Sequence, residues 1–301
     1  MNKANHTIDA GERASRPVAV LAVLTCAVAF TGALGCKDQG KVSAQKAMEH
    51  ATALAQLADK DVGEVERGLP LGATEMAKLV YAKGADPRQD LPAVRRALGR
   101  IRAVVPDLTV AKSTFFALAD DKGVAIRNDL EEDVMAGQNV VTIFPELKKA
   151  LDGTFVTAVG LFPGPPGTHG PDRDWMAAAP VKDEGGKVAG ILLTGWTYRR
   201  FANHLQESLR HDLAQDTLKG GDTGKLPILY VAVFDKAGVY TASQTPPVNE
   251  KALLDLDLVT KTAAGPAQGT LSITDRDFGY AAVRSAKLGP DTGVAVLRSE
   301  I

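Results

Sequence analysis

Two stretches of this chain are near copies of one another, and this repeat constrains the fold more than any other feature. The first reads FFALADDKGVAIR at residues 115–127, and the second reads LYVAVFDKAGVYTA at residues 229–242. Each has an apolar run, a turn with an acidic residue, lysine and glycine, and a second apolar run. This is the pattern of a hairpin between two partly buried strands. Similar strand-like runs follow each copy, so the repeat predicts two copies of one supersecondary unit.

The beginning of the chain has the pattern of an export signal. A polar segment with basic residues precedes an uncharged run at residues 17–34, and Cys36 follows directly. The stretch resembles a bacterial lipoprotein signal, which implies that Cys36 carries the lipid in the mature protein. An uncleaved N-terminal membrane anchor and a plainly secreted protein are the alternatives. All three place residue 37 onward outside the cytoplasm, in the periplasm or at the cell surface.

Composition excludes several classes of function. The chain of 301 residues has 35 Lys and Arg against 36 Asp and Glu, so it lacks the positive excess that nucleic-acid binding requires. Both cysteines, Cys26 and Cys36, lie in or just after the signal, which leaves no thiolate for a metal cluster or a nucleophile in the folded part. No hydrolase, zinc-protease or dinucleotide-binding motif occurs, and KGGDTGKL at residues 219–226 lacks the Ser or Thr of a phosphate loop. We therefore expect no enzymatic activity, no metal and no cofactor.

Helical periodicity surrounds the first repeat. Apolar residues recur at helical spacing over residues 42–80, with a break expected at 68–70, and a second amphipathic helix with outward arginines is predicted at 91–105. A helix at residues 198–216 links the two repeats. The glycine-rich segment 219–225 marks the boundary between them. These patterns predict a signal or lipid anchor at 1–36, a helical stalk with the first module at 37–218, and a second module at 219–301.

Each repeat is predicted to form five strands. Those of the first repeat are expected at residues 114–120, 124–128, 154–162, 175–182 and 188–196. Those of the second are expected at residues 228–234, 239–243, 269–274, 280–286 and 294–298, with a helix at 249–263. Residues 163–171, rich in proline and glycine, are predicted to be a loop.

Two strands, a helical excursion and three further strands are the order of a PAS-like module. Doubled and preceded by a long helix, the pattern resembles the double Cache sensor domains of bacterial chemoreceptors and histidine kinases. The stretches that carry the resemblance are DDKGVAIRND at residues 120–129, ALDG at 150–153 and APVKDEGGKVAGILLTGW at 179–196. The resemblance implies an α+β fold, with an N-terminal long helix followed by two PAS-like modules, each a five-stranded antiparallel sheet with flanking helices.

The resemblance also implies a small polar ligand in the first, membrane-distal module, since this module binds amino acids, carboxylates or amines in the family. The amino-acid-binding subset carries an Arg-x-Trp-Tyr run before its third strand and an aspartate at the end of its last strand. Here the similar run Arg173-Asp174-Trp175-Met176 precedes the fourth strand, and Gly195-Trp196 stands where the aspartate is expected. Amino-acid specificity is therefore not predicted.

Five residues are candidates for ligand contact because their types are unusual for a strand or its rim. They are Arg127, Asp129, Arg173, Trp175 and Trp196. A buried arginine is costly unless it is paired, so one that faced the pocket would suit a ligand carboxylate. The alternative is that Arg127 and Asp129 pair on the surface and that both tryptophans belong to the core.

These observations favour a non-enzymatic, membrane-anchored extracytoplasmic sensor or ligand-binding lipoprotein. It is expected to bind a small polar molecule in its first module. Because no kinase, cyclase or methyl-accepting segment follows the second module, it is expected to signal through a partner protein. The alternative is a ligand-free protein-interaction module at the cell envelope.

Overall fold

The structure is a computed structural model that describes residues 34–111, 114–162, 172–219 and 226–300. The chain divides into two units, Met1–Asp38 and Gln39–Ile301, and the described fold of residues 39–300 belongs to the second, the compact unit. The predicted signal up to residue 33, the loop 163–171 and most of the segment 219–225 lie outside the described residues, and the lipidation of Cys36 stays a prediction. Among the described helices, none combines the length and the apolar character needed to cross a membrane.

The strands follow one another in the order that the repeat predicts, two before and three after a helical segment in each repeat. The α-helices of the described residues are α1 (Leu34–Val80), α2 (Leu91–Val104), α3 (Pro106–Val110), α4 (Val140–Ile143), α5 (Lys148–Leu151), α6 (Tyr198–Lys219), α7 (Pro247–Leu254) and α8 (Leu258–Lys261). Short 3₁₀ turns lie at Ala82–Gly84, Pro87–Gln89 and Pro145–Leu147. The strands are β1 (Phe115–Asp120), β2 (Ala125–Asn128), β3 (Val156–Gly160), β4 (Asp174–Lys182), β5 (Val188–Thr197), β6 (Ile228–Asp235), β7 (Gly238–Thr241), β8 (Ala267–Ile273), β9 (Arg276–Arg284) and β10 (Gly293–Ser299).

The strands form two five-stranded antiparallel sheets with the same topology. Sheet A, made of β1 to β5, has the order β2-β1-β5-β4-β3, and sheet B, made of β6 to β10, has the order β7-β6-β10-β9-β8. In each sheet the first hairpin of the repeat therefore lies beside the last strand of the same repeat. The predicted α+β fold, with a long helix and two PAS-like sheets, is confirmed.

Three apolar clusters hold the described fold together, and they define two faces for each sheet. The inner face of each sheet is the one that packs with α1 and α6 in a shared core, which also includes residues of α2. The outer face of sheet A packs against the segment between β2 and β3, and the outer face of sheet B packs against α7 and α8. Because side chains alternate along a strand, neighbouring residues of β4 contribute to different clusters.

The helix break predicted at residues 68–70 is wrong, because α1 continues through Pro70. The adjacent glycines serve close packing instead. A Cβ atom on Gly68 would lie 2.8 Å from Leu108 Cδ2, and one on Gly72 would lie 2.9 Å from Ile101 Cγ2. These glycines let α2 and α3 approach the α1 backbone, and the packing they allow holds the helix across the proline.

Among the other boundaries that differ from the predicted ones, two have a clear cause in the backbone conformation. The single helix expected at 249–263 is divided into α7 and α8, because Asp257 between them adopts a left-handed backbone with φ of 49° and caps α8. Strand β9 begins at Arg276, earlier than expected. Thr274, with φ of 53°, makes the tight turn that pairs Ile273 with Arg276.

Candidate functional site

The outer face of sheet A is lined by small and apolar side chains. Ala117, Ala158 and Ala178 lie there under a cover that includes Phe144 and Leu147. A Cβ atom on Gly160 would lie 2.6 Å from Phe144 Cε1, so the phenylalanine ring rests directly on the backbone of β3. In the described part of the chain, this face is closely packed around one aromatic ring.

Asp174 places a carboxylate on this face. It is the first residue of β4 and pairs in register with Gly160 of β3 and Thr197 of β5. Residue alternation puts it on the face of Met176, opposite to Trp175. Asp174 Oδ2 accepts a hydrogen bond from the Phe162 backbone N at 2.9 Å. The carboxylate thus lies at the edge of the apolar surface.

No cation among the described residues forms an ion pair with the Asp174 carboxylate. Burial raises the pKa of Asp174 to about 6, which outweighs the lowering by the hydrogen bond from Phe162 N; Asp172 raises this pKa further and Arg173 lowers it. A partly buried carboxylate with such weak compensation attracts positive charge or a proton. It is therefore suited to the ammonium group of a ligand.

Asn128 offers a second polar group on the outer face. It pairs in register with Ala117, and directly opposed residues of antiparallel strands share a face. Its side chain is buried, its Oδ1 accepts from Leu130 N at 3.0 Å, and its Nδ2 has no acceptor among the described residues. An unsatisfied buried donor costs about 1 to 3 kcal/mol, so a ligand acceptor there would relieve a real penalty.

Arg127 and Asp129, two of the predicted ligand contacts, pair with other residues rather than with each other. Arg127 Nη1 lies 3.0 Å from Asp133 Oδ2, and its Nη2 donates to Leu130 O at 3.0 Å. Asp129 Oδ2 lies 2.7 Å from Arg102 Nη1. The two residues order the segment after β2 and fix it to α2, and contact with a ligand stays a prediction for both.

Trp175 and Trp196 lie together on the inner face of sheet A. Their rings stack with centroids 4.3 Å apart, and Phe201 of α6 stacks on Trp196 at 4.6 Å. Both indoles are buried. The sequence identifies the two tryptophans, and the structure adds that they form one aromatic stack against α6. Ligand contact stays a prediction for them as well.

Arg173 contacts sheet B. Its Nε lies 3.1 Å from Asp235 Oδ2, at the end of β6. Of the sequence-predicted residues, Arg173 thus contacts sheet B, while Trp175 and Trp196 lie in the shared core against α6. Arg127 and Asp129 contact the segment after β2 and α2 instead. Sequence reasoning missed Asp174 and Asn128 as candidates. The alternation of side chains along β4 was the available signal, since it places Asp174 on the other face of sheet A from Arg173 and Trp175.

Comparison with known proteins supports the topology. No protein-family model matches the sequence, and no curated protein matches it. Among solved structures, the ligand-binding domain of the Campylobacter jejuni chemoreceptor Tlp3 in complex with L-norvaline is similar at 10% identity, with a TM-score of 0.51 over 87% of this chain and 92% of that chain. Methyl-accepting chemotaxis protein X is similar at 12% identity, with a TM-score of 0.50 over 87% of this chain and 98% of that chain.

The chain has a double Cache, PAS-like fold. Another similar structure is the extracellular ligand binding receptor from Desulfohalobium retbaense, with 12% identity and a TM-score of 0.48; the match covers 83% of this chain and 39% of that chain. At these identities the likeness concerns the fold. In double Cache terms, sheet A belongs to the first module and sheet B to the second.

The two double Cache sheets are joined through α6 as well as through Arg173. Arg199 of α6 makes a bidentate ion pair with Glu250 of α7, with distances of 2.6 and 2.9 Å. Glu250 also accepts a hydrogen bond from the Thr241 hydroxyl. The ring of Tyr198 meets that of Tyr240 edge-on at 5.4 Å. Several specific contacts thus fix the second module to the helix that leaves sheet A.

Open clefts also occur in the described structure, away from the outer face of sheet A. One of about 420 Å³ lies between the β6–β7 turn and α8. Another, of about 270 Å³, lies beyond the end of α1 and is lined by Tyr81, Arg88, Asp120 and Asp183 among others. The carboxylates there have internal partners: Asp120 Oδ1 accepts from two backbone N–H groups, at 2.9 Å each. The outer face of sheet A remains the stronger candidate site because Asp174 has no ion-pair partner there among the described residues.

Proposed function

We propose that this chain is a non-enzymatic extracytoplasmic sensor. It binds a small, positively charged ligand on the outer face of sheet A and passes its bound state to a partner protein. The observation that carries the proposal is the Asp174 carboxylate, which lies partly buried beside an apolar surface without an ion-pair partner among the described residues. The ligand is an amine whose ammonium group pairs with Asp174.

The charges around the site favour an amine over a carboxylate. A ligand carboxylate needs a cation, and the two arginines selected from the sequence, Arg127 and Arg173, already pair with Asp133 and Asp235. A ligand ammonium group needs an anion, and Asp174 supplies one. The double Cache fold supports the sensory role by analogy, since the similar Tlp3 domain is a chemoreceptor ligand-binding domain.

The membrane-anchored form of this sensor rests on the sequence alone. Lipid attachment at Cys36, with the uncleaved anchor as the other route, would hold the compact unit at a membrane surface, as the pattern of residues 17–36 predicts. Mass spectrometry of the mature N-terminus tests this directly. A diacylglyceryl mass on Cys36 supports the lipoprotein, whereas an intact Met1 supports the uncleaved anchor and argues against lipidation.

The experiment for ligand binding uses calorimetry on the full chain in detergent with a panel of primary amines, amino acids and dicarboxylates. Variant Asp174→Asn removes the negative charge, and Asp172→Asn removes the same charge two residues away while keeping an acceptor for Arg199 N. An amine that binds the wild type and D172N but binds D174N at least about tenfold more weakly supports the proposal, since a charged hydrogen bond contributes about 1.5 to 3 kcal/mol. Equal affinity for D174N contradicts it.

The second candidate is a ligand-free protein-interaction module at the cell envelope. The close packing of Phe144 on Gly160 favours it, because a filled outer face leaves little room for a ligand. A complete absence of binding across the panel, together with capture of a partner by the wild-type chain, would favour this function over the sensor.

A further inference from the structure

An arginine and a histidine meet where α1 packs against the end of sheet B. Arg298, the next-to-last residue of β10, is 4% exposed, and its Nη1 lies 2.7 Å from Nε2 of His50 on α1. Arginine has only donors and stays protonated, so the imidazole must accept at Nε2. His50 is therefore neutral in this contact, with its proton on Nδ1.

Protonation of His50 is incompatible with this contact. A proton on Nε2 removes the acceptor that the imidazole offers to Arg298 Nη1 and places two positive groups against one another. Burial lowers the pKa of His50 below its ordinary value of 6.5, and the charge of Arg298 lowers it further. His50 therefore takes up its proton at a lower pH than an ordinary histidine does.

The remaining charges around His50 do not replace Arg298 as its partner. On α1, Glu49 raises the pKa of His50 and Lys46 lowers it, and beyond β10 Glu300 raises it. Glu300 is engaged with Arg298, with 2.9 Å from its Oε1 to Nε and 3.2 Å from its Oε2 to Nη2. Lys46 lies 3.9 Å from Glu300. The Arg298 and Glu300 pair thus stays intact when His50 titrates, and the contact that changes is the one to α1.

A second histidine contacts α1 farther along and has the opposite requirement. His204 Nε2 of α6 lies 3.0 Å from Oδ2 of Asp61, which is 3% exposed. An N–H group on Nε2 donates to the carboxylate whether the imidazole is neutral or charged, so this contact does not require an unprotonated Nε2. Acid therefore weakens the contact of α1 with β10, through His50 and Arg298, but not the contact of α1 with α6, through Asp61 and His204.

We propose that His50 and Arg298 form a proton-responsive contact, which releases the first part of α1 from β10 in mild acid while Asp61 and His204 hold the middle of the helix. This is a response to acidity that needs no ligand. It goes beyond the proposed function, because Asp174 takes no part in it.

The direction of the pH effect on stability follows from the difference in proton binding between the folded and the unfolded chain. The pKa of His50 is lowered in the folded state, so the unfolded chain binds more protons between that lowered value and 6.5. The contact therefore contributes its full stabilisation above pH 6.5 and loses it as the pH falls through this window. The equilibrium for opening this part of α1 changes about tenfold for each unit by which the pKa is lowered.

Hydrogen exchange of the full chain in detergent tests this, with amide rates at each pH corrected for intrinsic exchange. His50→Gln is the matched variant, because its amide oxygen still accepts from Arg298 and does not titrate. We expect the protection of residues 43–51 to fall between pH 7.5 and 5 in the wild type and in His204→Gln, but to stay constant in H50Q. Residues 59–66 are expected to keep their protection in the wild type over the same range.

Two results would overturn the proposal. One is constant protection of residues 43–51 in the wild type over this pH range, and the other is the same acid response in H50Q. The imidazole titration of His50, followed by NMR in the full chain, is an independent readout that needs no substitution. A titration midpoint at or above 6.5, the ordinary histidine value, contradicts the geometry.

Discussion

Arg173 Nε lies 3.1 Å from Asp235 Oδ2, which ties the residue before β4 to the last residue of β6. The next residue, Asp174, carries the carboxylate of the proposed ligand site, which has no ion-pair partner among the described residues. Consecutive residues of a strand point to opposite faces, so the start of β4 contacts the ligand face with one side chain and sheet B with its neighbour. A ligand that pairs with Asp174 therefore contacts a residue directly next to Arg173, which forms the ion pair with sheet B.

Loss of the Arg173 and Asp235 pair is expected to destabilise the fold. Asp235→Asn leaves a partly buried guanidinium without its counter-charge, which costs roughly 1 to 3 kcal/mol by urea unfolding. Lys251→Met, which breaks an exposed pair with Asp255, is the matched control and should change stability by less than about 0.5 kcal/mol. Equal effects of the two substitutions would argue that the Arg173 contact is not specific.

The pKa of Asp174 predicts that this residue opposes folding at neutral pH. Its folded pKa of about 6 lies above its ordinary value of 3.8, so the folded chain binds more protons in this window and stability falls as the pH rises through it. We expect Asp174→Asn to stabilise the chain by about 1 to 2 kcal/mol at pH 7.5, after allowance for solvent screening, and to have little effect near pH 4. Thermal unfolding at both pH values measures this, and a destabilised D174N at pH 7.5 would contradict the assignment.

The position of the Phe144 ring predicts a coupled pair of substitutions. Gly160→Ala puts a methyl group 2.6 Å from Phe144 Cε1, and displacement of the ring should cost roughly 1 to 3 kcal/mol. Phe144→Leu alone should also destabilise, but the double variant should be more stable than the sum of the single effects predicts, because the smaller side chain relieves the clash. Additive effects in a double-mutant cycle by urea unfolding would show that the ring does not rest on β3.

Two helical glycines are predicted to respond to alanine with opposite signs. Gly72→Ala places a Cβ atom 2.9 Å from Ile101 Cγ2 and should destabilise by roughly 1 to 3 kcal/mol. Gly99 of α2 has open space around it, so Gly99→Ala should stabilise by up to about 1 kcal/mol through helix propensity. The same sign for both changes in thermal unfolding would contradict the close approach of α2 to α1.

The fold was predictable from the sequence because its decisive signal is local. Period-two alternation and turn residues identify strands, and the repeat at residues 115–127 and 229–242 implies that two sheets share one topology. The continuity of α1 through Pro70 was not predictable in this way. Gly68 allows close packing against Leu108, which lies far along the chain. Without knowledge of this contact in space, a glycine next to a proline predicts the end of a helix.

The candidate site was only partly predictable. The sequence identifies Arg173, Trp175 and Trp196 as candidates; in the structure Arg173 contacts sheet B, and the two tryptophans stack against α6. It did not single out Asp174, although this residue lies between two of them. An aspartate at the start of a strand is ordinary in sequence, and only its desolvation and the lack of a paired cation among the described residues distinguish it.

The most direct test of the sensor account is calorimetric titration of the full chain with the amine that binds tightest, at pH 7.5 and at pH 5. We expect saturable binding that weakens at pH 5, as Asp174 takes up a proton, and that weakens at least about tenfold in Asp174→Asn at pH 7.5. Amine binding with the same affinity in the wild type and D174N, or at both pH values, would contradict it.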